Sequence, residues 1–180
     1  GERPVYAAAH LPPGITFRVL WRRPCERVPD IGMEVGLTGP LMHVRKRNDF
    51  RGSPYSLVDV WMPRDLYDLC PRGADRRRLY SHLLAEHAGI GSLRGHQLIT
   101  VVRASYETAQ LLDIPFAAPV ARIASRLWDQ SDRPVMVHVT LIRADLFAVE
   151  RSFGDAVRGD PLPWRPKMPT TAAADPAPGA

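Results

Sequence analysis

Apolar positions recur along the chain in two rhythms. Six runs rich in Val, Ile, Thr and aromatic residues, at 16–21, 41–47, 55–62, 97–104, 120–128 and 135–143, have the composition of β-strands, and several are bounded by Pro or Gly. Between them, the stretch 75–87 places Leu79, Leu83, Leu84 and then Ala88 at helical spacing and stops at Gly89. A second helix is expected over 106–112, with Ser105 as its N-cap and Pro115 beyond its end. A shorter helix is expected over 25–35, with Pro29 in its first turn. From Asp155 onward Pro is too frequent for a helix or a central strand to persist. The expected organisation is a linker at 1–12, an ordered domain at 13–153 and a Pro/Ala-rich tail at 154–180.

The runs repeat with a period of about 80 residues. Glu34-Val-Gly-Leu-Thr-Gly-Pro-Leu41 is similar to Asp113-Ile-Pro-Phe-Ala-Ala-Pro-Val120, and the pairs Pro54/Pro134 and Asp65-Leu66/Asp145-Leu146 keep one offset. A duplicated unit of helix, strand, turn and strand accounts for this register. It predicts an α+β fold, an antiparallel sheet with pseudo-twofold symmetry and helices packed on one face, with a cleft between the two hairpins.

Composition narrows the class. With 180 residues, 45% hydrophobic and 24% charged, the chain suits one folded domain, and its longest apolar runs fall far short of the roughly 20 residues of a membrane span. Two cysteines, Cys25 and Cys70, make no disulfide framework, and no signal-peptide pattern opens the chain, so a cytoplasmic setting with no membrane partner is expected. A first residue of Gly implies a natural start that was removed or lies upstream. The net charge of +5 comes almost wholly from Arg, since Lys46 and Lys167 are the only lysines.

Ser53-Pro-Tyr-Ser-Leu-Val-Asp-Val-Trp-Met-Pro-Arg-Asp-Leu66, Arg78-Leu-Tyr-Ser-His-Leu-Leu-Ala-Glu-His-Ala-Gly89, Ala109 to Val120, Asp132-Arg-Pro-Val135 and Ile142-Arg-Ala-Asp-Leu-Phe147 follow one another in a characteristic order. Together they resemble the UTRA domain, the effector-binding module of bacterial GntR-type regulators of the HutC subfamily, over about 13–153. The resemblance implies a chorismate-lyase-like α+β fold that binds a small metabolite and forms a homodimer. It also implies contact with operator DNA only through an N-terminal winged helix-turn-helix that this chain does not contain.

Arg45 and Arg47, two apart on one strand, project from the same face and form a candidate bidentate clamp for a carboxylate or phosphate. In UTRA domains that take sugar phosphates, an Arg-x-Arg pair on this strand has that role. The alternative is a solvated edge shared with Asp49 and Lys46. On the last strand Met136, His138, Thr140 and Ile142 share the face where the resemblance puts the ligand, and Val135, Val137, Val139 and Leu141 share the other, taken as the core side. Many relatives carry Glu at the position of Met136 and Tyr at that of Ile142. Apolar residues at both points favour a less hydroxylated organic acid over a sugar phosphate. His138 could instead be a strand histidine bonded to a neighbour or water. Arg78, near the start of the expected helix, is a further candidate anion contact, against the alternative that Arg76-Arg77-Arg78 is a solvated run. Asp145 is expected to brace its turn.

The competing class is a lyase acting on a small carboxylate, which would need a carboxylic general acid that Met136 replaces. His82 and His87 lack the i, i+4 spacing of a zinc helix, and neither a Gly-x-Ser-x-Gly elbow nor a Gly-rich phosphate loop occurs. The expected ligand-binding set is Arg45, Arg47, Arg78, Met136, His138 and Thr140, with no catalytic residue, metal or cofactor.

Overall fold

Strand-forming runs that follow one another favour antiparallel pairing with their chain neighbours, and in the computed structural model of the chain, over its described residues 14–149, four of the five strand pairings are of this kind. Strands β1 (Ile15–Arg27), β2 (Thr38–Phe50) and β3 (Ser53–Pro63) are followed by α1 (Arg64–Leu69), a 3-10 turn at Ala74–Arg76 and α2 (Tyr80–His87). Then come β4 (Arg94–Arg103), α3 (Tyr106–Leu112), β5 (Pro119–Trp128), β6 (Pro134–Arg143) and a last 3-10 turn at Ala144–Leu146. The linker and tail expected at 1–12 and 154–180 lie outside the described residues.

The six strands form one sheet in the order β1-β2-β3-β6-β5-β4, with every pairing antiparallel. This is the arrangement the repeat predicts, two three-stranded halves joined back to back. The β2–β3 hairpin turns on Arg51 and Gly52, both with positive φ (50° and 84°), as a two-residue turn between twisted strands requires. In the other half Asp129 ties the β5–β6 turn by accepting from the amides of Ser131 and Arg133 at 2.8 and 3.0 Å. Ser105 caps α3 as expected, its Oγ accepting from the Thr108 amide at 3.2 Å.

Three expectations need correction. No helix forms at 25–35: β1 continues through Arg27, and 28–37 crosses the sheet as an irregular segment. Pro29, Gly32 and Gly36 disfavour a helix there, and the backbone of the segment bonds elsewhere, with the Ile31 carbonyl accepting from Arg122 at 2.9 Å and that of Glu34 from Arg126. Its Ile31 and Leu37 pack on Leu41, Trp61, Val137 and Val139. The helix expected at 75–87 begins only at Tyr80, because Asp75 is buried in the 3-10 turn, held there by side chains of two other elements. The helices do not share one face either. Tyr80, Leu83 and Leu84 of α2 pack with Val44, Val60, Met62 and Met136. Ala109 and Leu112 of α3 pack with Leu57, Val120 and Leu141 on the other side. Both faces of the central strands are therefore covered, and alternation alone does not mark one as the core.

Candidate functional site

Residues paired across a sheet point the same way, so the register defines the floor of a cavity row by row. Phe17, Asn48, Ser56 and Ile142 form one row; Val19, Lys46, Val58 and Thr140 the next; Arg22, Val44, Val60 and His138 the third. Over the first two rows and part of the third lies a cavity of about 230 Å³, roofed by Leu79, Tyr80 and Ser81 at the start of α2 and bordered by Tyr55 and Met136. It spans the seam between the two halves of the sheet.

Lys46 lies in its wall, 3% exposed. Its Nζ donates to the Arg78 carbonyl at 3.3 Å and sits 4.3 Å from the centre of the Phe17 ring and 5.6 Å from that of Tyr80. Burial of the charge pushes the amine down to about 8, with Asp75 nearby holding it up and Arg22 opposing. Asp75 does not pair with it directly. That carboxylate, 4% exposed, is taken by the Arg22 guanidinium (2.8 Å to each oxygen) and by the Tyr80 hydroxyl at 2.6 Å. No Asp or Glu lines the cavity among the described residues. The site is thus a largely apolar chamber with one cation and no anion of its own.

His138 faces this chamber, and burial pushes its imidazole down to about 4, so it is neutral at physiological pH. Asn48, 6% exposed, donates through Nδ2 to Ser56 Oγ at 3.1 Å, and its Oδ1 has no partner.

Of the six residues expected at the site, Met136, His138 and Thr140 line the cavity. Arg45 and Arg47 do not. They project from the opposite face of β2, where Arg45 Nη1 lies 3.1 Å from both Glu107 oxygens of α3 and Arg47 pairs with Asp49 at 2.7 Å. The physical reason is strand parity: Met42 and Val44 set the buried face, and counting on in twos reaches Lys46 and Asn48. The Arg78 side chain is exposed and bonded to Glu86, so its guanidinium is outside, and only its carbonyl, through Lys46, reaches the site. Asp145 braces its turn through Arg143 at 2.6 Å. Lys46, Asn48, Ser56, Tyr80 and Ser81 were not anticipated, although the phase of Met42 and Val44 contained the signal for the first two.

A family model for the UTRA domain matches residues 15–148. Among solved structures, the chain is similar to the C-terminal domain of the histidine utilization repressor from Pseudomonas syringae pv. tomato (TM-score 0.67, 15% identity, 78% of this chain and 99% of that one). It is similar to the ligand-binding domain of a protein assigned as a GntR-family transcriptional regulator from Bordetella bronchiseptica (TM-score 0.66, 22% identity, 78% and 92%). PhnF from Mycobacterium smegmatis is matched at TM-score 0.66 and 16% identity, covering 78% of this chain and 63% of that one. No curated protein matches. The α+β sheet therefore shares its fold with these domains. The chain belongs to the UTRA domain family.

Arg22→Met leaves the Asp75 carboxylate with only Tyr80 as partner, and is expected to destabilise the domain by about 3 kcal/mol in urea unfolding. For His138 the unfolded chain takes up a proton near 6.5 while the folded one resists until about 4. Between those values the unfolded state binds more protons, so stability falls as pH drops. His138→Leu is expected to flatten that part of the stability–pH curve, and an unchanged slope would show that the ring titrates freely.

Proposed function

We propose that this chain is the effector-binding domain of a cytoplasmic bacterial transcriptional regulator of the GntR family, HutC subfamily. In this reading a small organic acid fills the cavity, with its carboxylate on the Lys46 ammonium and its body against Val58, Val60, Met136, His138 and Thr140. The domain acts within a homodimer, and operator DNA is bound through an N-terminal winged helix-turn-helix outside this chain. The observation that carries the reading is Lys46: a buried cation facing an apolar chamber without a carboxylate is costly unless an anion arrives to pair with it. Ligand control then requires the acid to favour one arrangement of the dimer by about 1–3 kcal/mol.

Native mass spectrometry after incubation with a pool of small acids tests this at once. One intact acid retained per subunit of a dimer supports it; conversion of a pool member with none retained points to the lyase class instead. Lys46→Met is expected to weaken acid binding by more than about tenfold. The same change removes the desolvated charge and is expected to stabilise the ligand-free domain by about 1–3 kcal/mol near pH 7. The sign is fixed by the lowered pKa: wild-type stability rises with pH from about 8 toward 10.5, as the folded state sheds its proton before the unfolded one. Arg45→Ala and Arg47→Ala, on the far face, are expected to leave affinity nearly unchanged.

A further inference from the structure

The described residues contain four buried side-chain polar atoms without a hydrogen-bond partner: Arg45 Nε, Asn48 Oδ1, Ser125 Oγ and Arg126 Nε. Of these residues only Asn48 lines the cavity. Its Nδ2 is committed to Ser56, which leaves the carbonyl oxygen as an acceptor with nothing to accept from. An orphaned buried acceptor is expensive in an empty site and becomes favourable when a ligand supplies the missing donor.

Lys46 and Asn48 are two apart on β2 and face the same chamber, with Cα atoms about 6–7 Å apart. A single small molecule can therefore meet both. Charge decides what kind of donor it carries. With Lys46 as the cation and no Asp or Glu in the lining, a ligand ammonium would be repelled and unpaired, so the donor is neutral. One cation also matches one carboxylate better than a doubly charged phosphate. The remaining walls, Phe17, Val58, Val60, Leu79, Met136 and Ile142, offer apolar contact to the rest of the molecule. The chamber, about 230 Å³, is smaller than the roughly 300–1,000 Å³ of drug-sized sites.

We infer that the ligand of this cavity is a small hydroxylated monocarboxylic acid with an apolar, flat or compact body, its carboxylate on Lys46 and its hydroxyl donating to Asn48 Oδ1. The inference rests on the acid-binding reading above and adds the donor to it.

The test is calorimetric titration of the wild-type chain with benzoate, the three hydroxybenzoates, their methoxy counterparts and 4-(aminomethyl)benzoate. At least one hydroxybenzoate is expected to bind about tenfold more tightly than benzoate, and its methoxy partner, which keeps the oxygen but loses the donor, is expected to lose that gain. Asn48→Leu is expected to erase the difference between the hydroxylated and plain acids. The ligand series in the wild-type protein stands without that variant should it fold poorly. Benzoates that bind with no gain from any hydroxyl would overturn the donor assignment and leave the acid reading intact. A methoxybenzoate that gains as much as its hydroxyl partner would show that Asn48 presents its amide N–H, also overturning it. Binding of none of these acids would count against both readings, and tight binding of the aminomethyl compound would overturn the charge argument.

Discussion

The pairing of β3 with β6, from Ser56 opposite Ile142 to Trp61 opposite Val137, is the constraint on which the rest of the structure depends. Among the described residues it is the only strand pairing that joins the two halves of the sheet. Because side chains alternate with period two, its register fixes which residues of all six strands share a face. A slip of one residue at that seam would put Val139 and Leu141 of β6 over the face that β2 fills with Lys46 and Asn48. The cavity would then have walls from two mismatched surfaces. Packing on both sides guards against this, with α2 and α3 each contacting strands near the seam from opposite faces.

The fully buried ions among the described residues are Asp49, Asp75 and Lys46, and of these Lys46 alone lacks a close partner of opposite sign. Asp75 is held by Arg22 and Tyr80, and Asp49 by Arg47. Arg45, on the far face, reaches Glu107 and approaches Asp59 at 3.8 Å. Lys46 has only a carbonyl oxygen and two aromatic rings. Those contacts soften its desolvation without cancelling its charge, as its lowered pKa shows. Hydrophobic replacements of buried ions are frequently tolerated or stabilising, so folding alone gives no reason for an ammonium here. Binding gives one. The same reasoning applies to Asn48, whose unpaired oxygen has a role only if something else enters the chamber.

The sheet was legible in the sequence because its strands are apolar runs with Gly- or Asp-marked turns, and because Pro54/Pro134 and Asp65/Asp145 keep the register of a duplication. The exception lies where the two halves differ. Between β4 and β5 stands α3, capped by Ser105; at the equivalent place between β1 and β2 stands the irregular 28–37 segment, secured by Arg122 and Arg126 from a distant strand. Those partners are about 90 residues away, so local propensity could not reveal them. Three of the six expected residues line the cavity for the same reason that the sheet was legible, since alternation along β6 groups Met136, His138 and Thr140. Arg45 and Arg47 stand on the face away from the cavity because phase, not charge, decides which residues of β2 face it. Tyr80 and Ser81 were hidden because their role depends on where α2 begins, and a buried Asp75, tied to β1 by a long-range ion pair, sets that point.

The location of the cavity across the seam bears on how a ligand could act. Lys46 and Asn48 belong to the first half of the sheet, His138 and Thr140 to the second, and Tyr80 to the roof. A molecule that bonds to the first pair and packs on the second ties the halves together. A molecule pressing on the Tyr80 ring also acts on the residue that bonds Asp75, and through Asp75 on Arg22 of β1. β1 is the edge strand of its half and the first described element of the chain. The chamber is therefore joined to that edge by three consecutive side chains with two hydrogen-bonded links. Any free energy the ligand passes along them is bounded by its preference for one arrangement of those links over the other, and a ligand indifferent to Tyr80 would bind without acting on β1.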